Sequence, residues 1–184
     1  AGYGMLIAIA GTFLVPGLKN IALMLFALVI GAAAAWISGK RVKMTDMPQM
    51  VAIYNGMGGG AAAAIAAIEF AKGESHGMVT TTLAVIGALI GAVSFTGSCV
   101  AYAKLQGLMK KAYRLPAQNV VNVLLALMAL ALGVTMIAMA PAKPELIFIF
   151  FAVALILGII VTVPIGGADM PVVISLFNAL TGLA

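Results

Sequence analysis

Charged side chains are missing from stretch after stretch of this chain, and that limits its fold more than any other feature. No Asp, Glu, Lys, Arg or His occurs between Met78 and Ala103, between Leu115 and Ala142, or between Leu146 and Ala168. Each stretch exceeds the roughly 20 apolar residues that a membrane-crossing helix needs. Over all 184 residues, 64% are hydrophobic and 8% charged, with a mean hydropathy of +1.21. A water-soluble globule of that composition would expose large apolar patches. The chain is therefore read as all-α, a polytopic transmembrane bundle forming a single domain over 1–184.

Breaks at Gly, Pro and charge divide it into seven helices, at about 2–15, 20–39, 47–70, 78–106, 118–140, 145–165 and 169–184. The loops are short, so consecutive helices are expected to be antiparallel neighbours. Nothing has the form of a cleavable signal. The first helix is short for a span and the last would rise only about 24 Å, so both ends are expected to be trimmed from something longer.

If the helices alternate, Lys40, Arg41, Lys43, Lys104, Lys110, Lys111 and Arg114 share one side, and only Lys19, Lys72 and Lys143 lie opposite, with Glu69, Glu74, Glu145 and His76. The excess marks the cytoplasmic side or its topological equivalent. Topology thus explains the net charge of +5 better than nucleic acid does, and lipid is the expected surrounding. The single Cys99 lies in an apolar run and offers neither a disulfide nor a metal site, so packing is its expected role. His76, without an acid cluster, reads as a solvated loop residue and not as a metal ligand.

One pattern occurs twice. Asp46-Met47-Pro48 is followed by Tyr54-Asn55, Gly59 and Ala61, and Asp169-Met170-Pro171 is followed at the same offsets by Phe177-Asn178, Gly182 and Ala184. Such self-similarity suggests duplication, and three intervening helices would make the copies parallel. Asp suits an N-cap and Pro the first turn. Nine residues further in, at about 1.5 Å each, each asparagine would sit near the middle of a hydrocarbon layer about 30 Å thick.

Between the copies the fourth helix carries Gly87, Gly91, Ser94, Thr96, Gly97 and Ser98, a pattern that permits close helix packing and equally a narrow wet path lined by hydroxyls. Thr80 and Thr81 read as caps of that helix. Gly56-Met57-Gly58-Gly59-Gly60-Ala61 satisfies a dinucleotide-binding pattern but lies in an apolar helix without a preceding strand, so it reads as a packing surface or kink. Asn55 and Asn178 can order water or bond across helices. Asp46 and Asp169 could also dock a soluble partner. No ionisable group lies deep in any expected helix.

Three segments, TDMPQMVAIYNGMGGGAAA (Thr45 to Ala63), IGAVSFTGSCVAYAKL (Ile90 to Leu105) and GGADMPVVISLFNALTGLA (Gly166 to Ala184), resemble the membrane domain of the beta subunit of proton-translocating NAD(P) transhydrogenase. The resemblance covers most of the chain from about residue 20 onward. It implies an oxidoreductase coupling hydride transfer from NADH to NADP⁺ with proton movement. NAD(H) and NADP(H) would bind soluble domains, so this segment would bind no cofactor and supply no hydride-transfer residue.

The implied partners are the alpha-subunit membrane helices and the NADP(H)-binding domain, in a dimer of the full complex. The implied membrane is bacterial cytoplasmic, or mitochondrial inner in a eukaryote. Asn178 matches the family's important asparagine and Asp169 its interfacial aspartate. Thr80 stands where a family member has a proton-pathway histidine, and Ala129 where it has a serine, so a partner subunit is expected to supply the titratable group.

The resulting expectation is a proton pathway through Asn178, Asn55, Thr80, Ser94 and Ser98. Coupling to the soluble domain would occur at Asp169, Asp46 and Arg114, beside Lys110 and Lys111. The competing readings are a non-enzymatic secondary transporter or channel, and a purely structural membrane subunit. A reading frame that continues past Ala184 into a further helix and a Rossmann-like domain would separate them.

Overall fold

A computed structural model describes residues 2–73 and 77–184, so the expectations for Glu74 and His76 fall outside the described residues. The chain forms two compact units, residues 1–43 and 44–184. The first contains α1 (Gly2–Phe13) and α2 (Ile21–Arg41), with Lys40 Nζ 4.4 Å from the centre of the Trp36 ring. That contact places a cation on an aromatic face at the end of an apolar helix, where both groups suit a membrane boundary.

The second unit contains α3 (Met47–Lys72), α4 (Gly77–Leu105), α5 (Gln118–Ala138), α6 (Pro144–Thr162) and α7 (Met170–Thr181). One-turn 3₁₀ helices, Met44–Asp46 and Gly167–Asp169, lead into α3 and α7. All seven expected helices are present, and no strand occurs among the described residues. Five of the helical stretches are long and apolar enough to cross a membrane, while α1 and α7 are shorter.

Helix α4 packs against α3, α5, α6 and α7 and is the hub of this unit. Its small residues explain why. A Cβ on Gly91 would lie 2.7 Å from Gly59 O and 2.8 Å from Ala63 N, and one on Gly59 would lie 2.9 Å from Gly91 O. The α3 and α4 backbones therefore touch, which is how helices gain dispersion contact where lipid is as apolar as the side chains. On another face of α4, Thr96 Oγ1 donates to Leu155 O of α6 at 2.8 Å, and Gly158 of α6 leaves room for Thr96 and Val93. Larger side chains fill the remaining space: Met136 and Phe150 pack with Ala66, Val85 and Ala88, while Met170 and Ile174 pack with Ala52 and Ala101.

Candidate functional site

The small-residue seam between α3 and α4 also contains the buried polar residues Asn55, Ser94 and Ser98. Asn55 is 6% exposed, and its Nδ2 donates to Ser98 Oγ at 2.8 Å. Ser94 is fully buried one turn earlier on α4. Neither Asn55 Oδ1 nor Ser94 Oγ has a hydrogen-bond partner among the described residues. Close packing and a buried polar line thus coexist in one seam. The Gly56–Ala61 run lies within α3, where Gly56 and Gly59 press against α4, and it cannot cradle a pyrophosphate.

Helix α7 lies beside α3 and runs the same way. Met47 and Pro48 of α3 line one apolar groove with Pro171 and Ile174 of α7, and a Cβ on Gly58 would approach Thr181 Cγ2 to 3.4 Å. The same sequence offset relates Pro48 to Pro171, Gly58 to Thr181 and Asn55 to Asn178. The two helices nevertheless bury different faces. Helix α7 buries Met170, Ile174 and Phe177, whereas their α3 counterparts Met47, Val51 and Tyr54 are exposed. Phe177 fits against Gly97, where a Cβ would lie 2.4 Å from the ring. Asn178, one position further, is exposed and turned out of this chain's bundle.

Asp46 and Asp169 hold the N-cap positions of α3 and α7 without a side-chain capping bond, because the preceding 3₁₀ turn shapes each helix start. Thr80 and Thr81 are not caps either. Helix α4 starts at Gly77, and Thr81 Oγ1 donates back to Gly77 O at 3.0 Å. Thr80 is exposed and lines two cavities with Glu69. One, of about 20 Å³, is also bounded by Phe70, Thr81 and Met136. The other, of about 510 Å³, is an apolar groove running past Gly58 and Gly87 to Ala184.

At the opposite, basic end, Arg114 and Asp169 line one polar cavity of about 420 Å³ with Gln118, Asn119 and Asn122. Asp46 does not line it; Met44, just before Asp46, borders the apolar groove. Two further residues escaped the sequence reading. Lys104, counted there only as a topology charge, is 7% exposed and donates to Val163 O and Ile165 O. Gln118 accepts from Leu115 N at 3.0 Å and donates to Ile160 O and Asn122 Oδ1, each at 3.0 Å. The only sequence signal for either is a polar residue bordering an apolar run, which surface residues share.

The family model of the NAD(P) transhydrogenase beta subunit matches residues 1–184. Two Rhodospirillum rubrum sequences named NAD(P) transhydrogenase subunit beta are each 35% identical over 190 residues, covering 98% of this chain and 40% of the relative. The chain thus spans about two fifths of the length of the curated relatives it matches.

Proposed function

This chain belongs to the NAD(P) transhydrogenase beta-subunit family and is an integral membrane protein, and we propose that it is the part of that enzyme through which protons move. The match of the family model to the whole chain carries this reading, and it does not favour the transporter alternative. In the proposal, hydride passes between NADH and NADP⁺ on soluble domains outside this segment. Residues 1–184 act together as one membrane domain of the assembled enzyme.

The geometry supports a division of labour. Asn55, Ser94 and Ser98 form the buried polar line within the chain. Asn178 faces outward, towards membrane helices of the alpha subunit, which in this reading supply an ionisable group. Thr80 and Glu69 border the cavities at the other end of α3 and α4. The cavity with Arg114 and Asp169, together with the nearby start of α3 at Asp46, receives the NADP(H)-binding domain. Coupling then requires the oxidised and reduced nucleotide states to favour different arrangements of that contact.

The complete complex acts as a dimer, in the bacterial cytoplasmic membrane or, in a eukaryote, the mitochondrial inner membrane. The test uses that complex in vesicles, following internal pH while NADPH reduces an NAD⁺ analogue. Asn178→Ala is expected to abolish proton movement while nucleotide binding survives. Unchanged pumping would remove Asn178 from the path, and the absence of any nucleotide-dependent pH change in the wild type would overturn the function.

A further inference from the structure

The last carbonyls of a helix have no partner inside it. At the end of α6 they are met from both sides: Gln118 of α5 donates to Ile160 O, and Lys104 of α4 donates to Val163 O and Ile165 O, just past the final turn. Both side chains are buried. The partners of the Lys104 ammonium are carbonyls at the negative end of the α6 dipole, an arrangement that favours a cation there. A lysine so placed holds a specific piece of backbone.

That backbone leads directly into Gly166-Gly167-Ala168-Asp169. Asp169 N donates to Gly166 O at 3.1 Å, and Met170 then enters the buried cluster with Ala101, less than one turn from Lys104 on α4. Gln118, Ile165, Gly166 and Asp169 border the same polar cavity as Arg114. The held segment therefore lies between the basic-end surface and the helix that presents Phe177 and Asn178.

We propose that Lys104 is a positioning residue that, with Gln118, anchors the connection between α6 and α7, so that a displacement at Asp169 is passed to α7 rather than absorbed by the two glycines. The inference rests on the coupling role proposed above for Asp169. Without the Nζ bonds, Val163 to Ile165 is freed from α4 and the Gly166-Gly167 segment can flex independently of α7. Hydride transfer then continues with fewer protons moved.

The experiment measures protons moved per hydride in vesicles containing the complete enzyme, for wild type, Lys104→Met and Lys104→Arg. Lys104→Met is expected to lower this ratio by about fivefold or more, the lower range of ordinary allosteric coupling, with NADP(H) binding retained. Lys104→Arg, which keeps the charge and the donors, is expected to restore it. An unchanged ratio, or hydride transfer and proton movement falling in parallel, makes Lys104 a structural cap and overturns the inference. If Lys104→Met yields no assembled complex, Lys104→Gln is measured instead: a partial fall in the ratio supports the inference and a wild-type ratio overturns it. A wild type that moves no protons would instead sink the functional reading on which the inference rests.

Discussion

Asn55 and Asn178 stand nine residues after Asp46 and Asp169 on two adjacent helices that run the same way, yet Asn55 is buried and bonded to Ser98 while Asn178 faces out of the bundle. The difference is a rotation of one residue, about 100° around a helix axis. Helix α3 turns Ala52, Asn55, Gly56 and Gly59 inward; α7 turns Met170, Ile174 and Phe177 inward. Equivalent amides are thereby offered to different neighbours.

Substitution of the two asparagines should therefore have opposite signatures. Asn55→Ala removes a buried interhelical bond and strands Ser98, and is expected to lower stability by about 1–2 kcal/mol. Asn178→Ala on the isolated chain should cost less than about 0.5 kcal/mol, as an exposed substitution does. Thermal unfolding in detergent distinguishes them, and equal losses would contradict the burial pattern.

Glycines of α3 and α4 should differ sharply in tolerance. Gly91→Ala drives a Cβ into backbone atoms of Gly59 and Ala63 that cannot yield without separating the helices. A net loss of about 1–3 kcal/mol is expected, even against the gain in helix propensity. Gly58→Ala meets only Thr181 Cγ2, at 3.4 Å, and should be neutral or stabilising by up to about 1 kcal/mol. Unfolding midpoints of the two variants provide the comparison.

Thr96→Val keeps the shape of the side chain but removes the bond to Leu155 O. Membrane interhelical bonds average about 0.6 kcal/mol and reach about 1.7. A loss within that range is expected. Thermal unfolding of Thr96→Val beside wild type in detergent provides the check, and a loss well outside that range would contradict the bond's assigned weight.

Arg114 and Asp169 share one cavity, so their effects on coupling should not add. Asp169→Asn and Arg114→Gln are each expected to reduce nucleotide-dependent proton movement in the complete enzyme by about fivefold. The double variant should be little worse than the more damaging single one. Independent, multiplicative losses would separate the two residues functionally.

Much of the fold was legible because hydrocarbon imposes a simple rule: a long uncharged run must satisfy its backbone internally, and a helix does so. Helix α4 could be read from Met78 to Ala103 and its close packing from Gly91, Ser94 and Ser98. Asp46 and Asp169 stand at the expected N-cap positions but make no side-chain capping bond, and Thr80 and Thr81 lie inside α4 rather than at its cap. Propensity identifies residues suited to a cap, while the local 3₁₀ turns and the earlier start of α4 decide whether they form one. The contacts of Lys104 were not legible because a basic residue at the end of an apolar run looks the same whether it snorkels to water or caps a neighbouring helix.

The sequence by itself determined the helices, their boundaries within a few residues, and the matching spacing of Asp46–Asn55 and Asp169–Asn178, since these depend on local polarity, spacing and chain order. Only the tertiary structure decided which amide is buried, which faces of α3, α5, α6 and α7 meet α4, and where Lys104 points. Those outcomes depend on complementary shape between distant segments: the glycine seam of α4 receives the small face of α3, and the space at Gly97 receives the ring of Phe177. A rotation that leaves the sequence pattern untouched exchanges a buried hydrogen bond for an exposed amide.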